Sequence, residues 1–230
     1  SDSVALFVEH DEHIERFEKI KQNTPRVEHV WKIDSKDFPG LHTSGEAIGD
    51  DQLEKARSNA EINDLATIVY TSGTTGNPKG CELTHKSLVD HCRNASAELP
   101  EIANEYQNSL IFLPLAHILA RYVSVLCVYA GIRVGHLGDT KAVAETLPTF
   151  KPTFLLAVPR VFEKVYNGAE LKAESSGKGK IFRTAAETAI EYSQALDSKS
   201  GPGFALKLKH TLFDKLVYSK LRAAMGGNVC

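Results

Sequence analysis

Between residues 65 and 158 the hydrophobic period of this chain switches back and forth, and that alternation most narrows the folds open to it. Leu65 to Tyr70, Ser109 to Leu113, Ile132 to His136 and Thr153 to Val158 are short apolar, largely β-branched or aromatic runs that read as strands. Between them, His85 to Glu98, Ile118 to Tyr129 and Thr140 to Phe150 carry apolar residues at helical spacing, the last ending before Pro152. Thr84 is placed to cap the first of these helices, and Cys81-Glu82-Leu83 reads as a short extended piece before it. Strands that take turns with helices build an α/β layer architecture, here layered mainly parallel sheets with flanking helices. The first sixty residues repeat the theme: Val4 to Val8 and Val27 to Ile33 are strand-like, and Ile14, Phe17 and Ile20 mark a helix within Asp11 to Asn23. Asp34 to Glu61 is polar and rich in Gly and Ser, with a short helical signal near Gln52 to Ser58, and reads as a surface connection. From Arg160 onward the pattern is helical, broken by a flexible loop at about 174–180 and again at Ser198 to Gly203. Beyond the second break Leu208, Leu212, Leu216, Phe213 and Val217 share one helical face.

The segment after the Leu65 to Tyr70 strand carries the chemistry. In Thr71-Ser72-Gly73-Thr74-Thr75-Gly76-Asn77-Pro78-Lys79-Gly80, Gly73 and Gly76 let main-chain N–H groups converge beside four side-chain hydroxyls and one lysine. Many donors, little bulk and one mobile positive charge suit a polyphosphate, so a nucleoside triphosphate is the natural ligand. Two other readings compete. One is a plain surface turn, since Gly, Ser, Thr, Asn and Pro are ordinary turn formers. The other is the P-loop, whose spacing fails because Pro78 stands where the second glycine would fall and Gly80 follows Lys79.

Over its whole length this run resembles the phosphate loop of the adenylate-forming enzymes, including the Leu83-Thr84-His85 element behind it. Leu113-Pro114-Leu115-Ala116-His117, followed by Arg121, and Val158-Pro159-Arg160-Val161-Phe162 are similar to elements of the long-chain fatty acid–CoA ligase branch. The resemblance covers residues from about 60 to 225. It implies that 1–230 is part of the large N-terminal AMP-binding domain, with ATP, Mg²⁺ and coenzyme A as cofactors and a fatty acid as substrate. It further implies that Lys79 neutralises phosphate and that His117 borders the fatty acid and adenylate pocket. The adenine and ribose elements and the mobile C-terminal domain of that family lie beyond Cys230, so the chain is expected to be a fragment, with the C-terminal domain absent. Such a fragment is expected to bind ATP weakly, to complete no turnover and to self-associate through an unpaired sheet edge. Peripheral membrane association of the larger protein is a further implication. A non-catalytic nucleotide-binding module, or an adenylating enzyme for another acid, remains open beside the ligase reading.

From residues alone, His117 is equally a core histidine beside apolar neighbours. Arg121, four positions on, shares its helical face and either reaches the surface or faces a carboxylate or carbonyl cluster. Arg160 reads as an anchor of a helix start, and His85, His91 and His136 show no partner pattern. A formal net charge of −2 gives no footprint for nucleic acid. Four cysteines without metal or disulfide spacing point to reduced thiols in the cytoplasm. No stretch is apolar for long enough to span a membrane, since Pro114, His117, Arg121, Gly131 and Arg133 interrupt the most apolar region.

Overall fold

The computed structural model describes residues 3–33, 38–73 and 76–229, with the side chains of 38 and 39 left out. The chain divides into two compact units, Ser1–Glu61 and Ile62–Cys230. In the first, β1 (Ala5–Val8), α1 (Asp11–Glu18) and β2 (His29–Lys32) form a strand–helix–strand crossover with the strands parallel and Phe7 opposite Trp31. Phe17 of α1 and Val8 of β1 are buried. The polar stretch that follows is more than a connection. It holds α2 (Phe38–Gly45) and α3 (Asp50–Arg57). Helix α3 has Asp50 and Asp51 in its first turn and Lys55 and Arg57 in its last, which suits the helix dipole, and it buries no residue. Helix α2 runs through Pro39, Gly40 and Gly45, which hides it from a propensity reading.

The second unit opens with an antiparallel hairpin, β3 (Leu65–Thr71) and β4 (Lys79–Thr84). Only Val69 of β3 is fully buried, so the expected buried strand is largely half-covered in this chain. Helix α4 (His85–Glu98) follows at once. The Thr84 side chain accepts from the Ser87 amide (3.2 Å), and the Asp64 and Ile62 carbonyls accept from the His85 and Lys86 amides (3.1 and 2.7 Å). The amides that a helix start leaves without partners are thus satisfied by the segment leading into β3.

Strands β5 (Asn108–Ile111) and β6 (Arg133–His136) pair in parallel around α5 (Ile118–Tyr129). Alternate residues of β5 face opposite ways, and both faces are buried. Ile111 packs with Val123 and Cys127 of α5, with Ile132 and with Phe154, while Leu110 and Phe112 pack with Val143 and Leu147 of α6 (Val143–Phe150). This helix–sheet–helix sandwich is the centre of the unit and realises the expected α/β layering. The expected strand at Thr153 to Val158 is reduced to one parallel bridge, Ser109 to Phe154. Side chains reinforce the pairing there: the Asn108 side chain accepts from the Thr153 amide (2.7 Å) and the Thr153 hydroxyl from the Asn108 amide (2.9 Å).

The last part is helical, as the sequence pattern requires. Helices α7 (Pro159–Ser175) and α8 (Gly179–Leu196) leave only residues 176–178 between them, shorter than the loop expected at about 174–180. Arg183 of α8 bridges back to Glu174 (2.7 Å) and Glu170 (3.5 Å) of α7. Helix α9 (Phe204–Phe213) runs through one π turn, Asp214–Tyr218, into α10 (Ser219–Ala224). The Tyr218 hydroxyl donates to the Ala185 carbonyl (2.6 Å), and His210 stacks on Tyr192 (4.0 Å). Of the apolar face expected here, Phe213 is buried, whereas Leu208, Leu212 and Leu216 remain exposed.

Candidate functional site

The glycine–hydroxyl–lysine run forms the tip of the β3–β4 hairpin. Thr71 stands opposite Lys79 and Tyr70 opposite Gly80, so residues 72–78 bridge two antiparallel strands. In a P-loop a helix starts directly behind the lysine; here Lys79 is the first residue of a strand. An anion placed at this loop would meet amides, hydroxyls and one ammonium group, with no helix dipole behind them.

Two glycines shape the tip. Gly76 has φ +85°, the left-handed region that costs glycine nothing. At Gly73 a Cβ would stand 2.5 Å from the Asn77 carbonyl oxygen, a separation no side chain tolerates. The Gly76 amide donates to the Gly73 carbonyl (3.1 Å), which closes the turn. The Lys79 side chain runs back along this turn, with Cγ 3.4 Å and Cε 3.6 Å from the point a Gly73 Cβ would occupy. Thr71 Oγ1 donates to the Lys79 carbonyl (3.4 Å) and stays exposed, as do Ser72, Gly76, Asn77, Pro78, Lys79 and Gly80. Thr74 and Thr75 lie outside the described residues.

His117 is not a core histidine. It is exposed and forms the N-cap of α5, its amide held by the Pro114 carbonyl (3.0 Å) and its carbonyl accepting from the Arg121 amide (3.2 Å). Arg121 is half-buried and faces neutral acceptors. Its Nε donates to the Leu115 carbonyl (2.9 Å) and its guanidinium donates to the Thr67 hydroxyl of β3. One side chain therefore fastens the turn carrying His117 to the strand that leads into the glycine–hydroxyl–lysine run. Sequence spacing paired Arg121 with His117 but gave no hint of Thr67, which lies 54 positions away.

Ile118 and Leu119, the residues after His117, line an apolar groove of about 340 Å³ with Leu83, Leu88, His91 and Tyr122. His91 gains a role that its sequence context did not reveal, because its ring meets that of Tyr122 edge-on (4.9 Å) and its carbonyl accepts from the Tyr122 hydroxyl (3.2 Å). Arg160, expected to anchor a helix start, lies exposed in the first turn of α7 behind Pro159. Burial pushes the Cys92 thiol up, and the Cys127 thiol up to about 11, which leaves both without nucleophilic character. Among the described residues no group of three or more His, Cys, Asp or Glu side chains is placed to hold a metal, and no helix is long and apolar enough to cross a membrane.

The profile of the AMP-binding enzyme family matches residues 1–230. The chain belongs to that family. It is 42% identical over 231 residues to the long-chain-fatty-acid–CoA ligase FadD15 of Mycobacterium tuberculosis, covering 99% of this chain and 38% of that protein. It is 37% identical over 182 residues to long chain acyl-CoA synthetase 3 of Arabidopsis thaliana, covering 76% of this chain and 26% of the plant protein. The chain thus spans well under half the length of these curated relatives. In fold it resembles the long-chain-fatty-acid–CoA ligase FadD1 from Archaeoglobus fulgidus, with a TM-score of 0.52 at 23% identity over 74% of this chain and 33% of that one. A luciferase from Phrixothrix hirtus superposes with a TM-score of 0.54 at 18% identity, over 70% of this chain and 32% of that chain. Membership of the AMP-binding family establishes the α/β class that the alternating pattern predicts.

Proposed function

We propose that this chain is the phosphate-loop part of a longer ATP-dependent long-chain fatty acid–CoA ligase. The observation that carries the reading is the exposed hairpin tip in which Lys79 folds back over a turn that only glycine can make. The identity to ligases of long-chain fatty acids supports the substrate class. In this reaction the fatty acid carboxylate attacks the α-phosphorus of ATP, pyrophosphate leaves, and the coenzyme A thiol then displaces AMP from the acyl carbonyl. The hydroxyls of Thr71, Ser72, Thr74 and Thr75 and the loop amides hold the polyphosphate, and Lys79 offsets the charge that builds on departing pyrophosphate. Mg²⁺ suits this site as an ion carried on the phosphate oxygens, because the described residues supply no carboxylate cluster of their own. His117, exposed at the head of α5 and tied through Arg121 to β3, borders the acyl and adenylate site. The reading takes the cytoplasm as its compartment, where both ATP and coenzyme A are at hand.

The test is acid-dependent pyrophosphate release by the full-length ligase, with palmitate set against short and aromatic acids. Release and thioester formation that are strongest with palmitate fit the reading. Release without thioester, or a preference for an aryl or amino acid, would assign the chain to another branch of the family. In the same protein His117→Ala should raise the apparent KM for fatty acid or slow adenylation at least about fivefold while leaving the melting temperature unchanged. Unchanged kinetics would remove His117 from the acyl site.

A further inference from the structure

Arg121 ties together the two stretches to which the ligase reading assigns ATP and the acid. Its Nε donates to the Leu115 carbonyl (2.9 Å), two residues before His117, and its guanidinium donates to the Thr67 hydroxyl, four residues before Thr71. Side chains alternate along a strand, so Thr67, Val69 and Thr71 leave β3 on one face, the face that Arg121 meets. Ile68 and Tyr70 lie on the other, against the position a Gly80 Cβ would take. The next residue of α5 makes a second tie. The Tyr122 hydroxyl donates to the His91 carbonyl (3.2 Å) of α4, the helix that continues β4 without a break. Adjacent residues of α5 thus hold both arms of the hairpin, β3 directly and β4 through α4.

A guanidinium is a costly group for this place. Arg121 is half-buried, and among the described residues its donors meet neutral acceptors only, so no carboxylate compensates the loss of water. A leucine on this side of α5 would cost less. What the guanidinium alone supplies is a rigid fork of diverging donors that fixes two segments of chain at once. We propose that Arg121 is a positioning residue for adenylation, which sets the His117 turn against the phosphate loop so that carboxylate and α-phosphorus meet in line. Adenylation brings together two substrates held by two elements, and a displacement of about 1 Å costs on the order of a hundredfold in rate. Thioester formation starts from acyl-adenylate, in which the acyl and phosphoryl groups are already joined, and depends less on the tie. The inference rests on the ligase reading and names a residue that reading leaves without a kinetic role.

Single-turnover acyl-adenylate formation by the full-length ligase, at saturating ATP and palmitate, tests it. Thr67→Val and Arg121→Met should each slow this step by about tenfold or more, with thioester formation from preformed acyl-adenylate and coenzyme A within about threefold of the parent. Thr67→Ser keeps the acceptor hydroxyl and should hold the rate within about threefold of the parent. Arg121→Lys keeps the charge but loses the fork, and should be as slow as Arg121→Met. In a His117→Ala background Arg121→Met should cost less than about twofold more, because the turn it positions no longer carries its group. Circular dichroism checks that each variant is folded at the assay temperature, and Thr67→Val carries the test should Arg121→Met fail to fold. A parent that forms no acyl-adenylate from any fatty acid would overturn the ligase reading. An active parent whose Thr67→Val and Arg121→Met variants keep its adenylation rate, lose both half-reactions alike or are matched in full by Arg121→Lys would overturn the positioning role alone.

Discussion

Replacing Arg121 with methionine isolates the contact that fastens the His117 turn to β3. Methionine keeps the aliphatic reach within helix α5 and removes the two donors. What is lost is one charged hydrogen bond to the Leu115 carbonyl at 2.9 Å and one to the Thr67 hydroxyl. A hydrogen bond to a charged group contributes about 1.5–3 kcal/mol when shielded, and a half-exposed one about half of that. Arg121 and Thr67 are both half-buried. The two bonds together therefore come to about 2 kcal/mol. For a unit of this size that corresponds to a fall of about 4–8 °C in Tm, or of about 1 M in the urea midpoint. Far-UV circular dichroism is the right probe, because the single tryptophan, Trp31, lies in the other compact unit. Thr67→Val should cost less, and the double variant should reveal a coupling of about 0.5–1.5 kcal/mol. A midpoint that moves by less than about 1 °C in Arg121→Met, or costs that simply add, would show that the guanidinium is solvated and that this strap does not exist.

Two more outcomes follow from the geometry. Gly73→Ala would drive a Cβ to within 2.5 Å of the Asn77 carbonyl oxygen, so the hairpin tip must reshape; adenylate formation should fall at least about tenfold with little change in melting temperature, and full activity would show that the tip is free to move. The Cys127 thiol, raised by burial from 9.0 to about 11, stays protonated in the folded chain while the unfolded chain ionises first. Its contribution is intact below pH 9.0 and is lost as pH rises toward 11, at most about 1.4 kcal/mol per pH unit. Urea titrations across that range should be flatter in Cys127→Ala than in the parent, and identical slopes would refute the assignment.

Local signals made much of the site readable from residues alone. Thr84 as a cap, β4 behind the loop and the span of α5 all follow from hydroxyl placement and hydrophobic period, which act over a few residues. The glycine requirement at positions 73 and 76 was visible because turns of this kind have few other solutions. What stayed hidden is long-range or set by context. Thr67 as the partner of Arg121 depends on a contact across the unit. Thr153 to Val158 has strand composition, but its pairing with β5 stops after one bridge at Phe154, beside side-chain bonds between Asn108 and Thr153. The leucines of α9 share a face, as their spacing predicts, yet periodicity says which residues lie together and not what they meet. His117 has apolar neighbours in sequence and is exposed because it caps the helix those neighbours build.

Rapid-quench kinetics of the two half-reactions in Lys79→Ala test the central claim most directly. Lys79 lies along the glycine turn and, in this account, offsets charge on departing pyrophosphate. Removing it should slow acyl-adenylate formation from ATP and fatty acid by about a hundredfold, about 2.7 kcal/mol of barrier, while thioester formation from preformed acyl-adenylate and coenzyme A stays within about threefold. Equal loss in both half-reactions, or no loss in the first, would contradict the assignment of this hairpin tip to the polyphosphate.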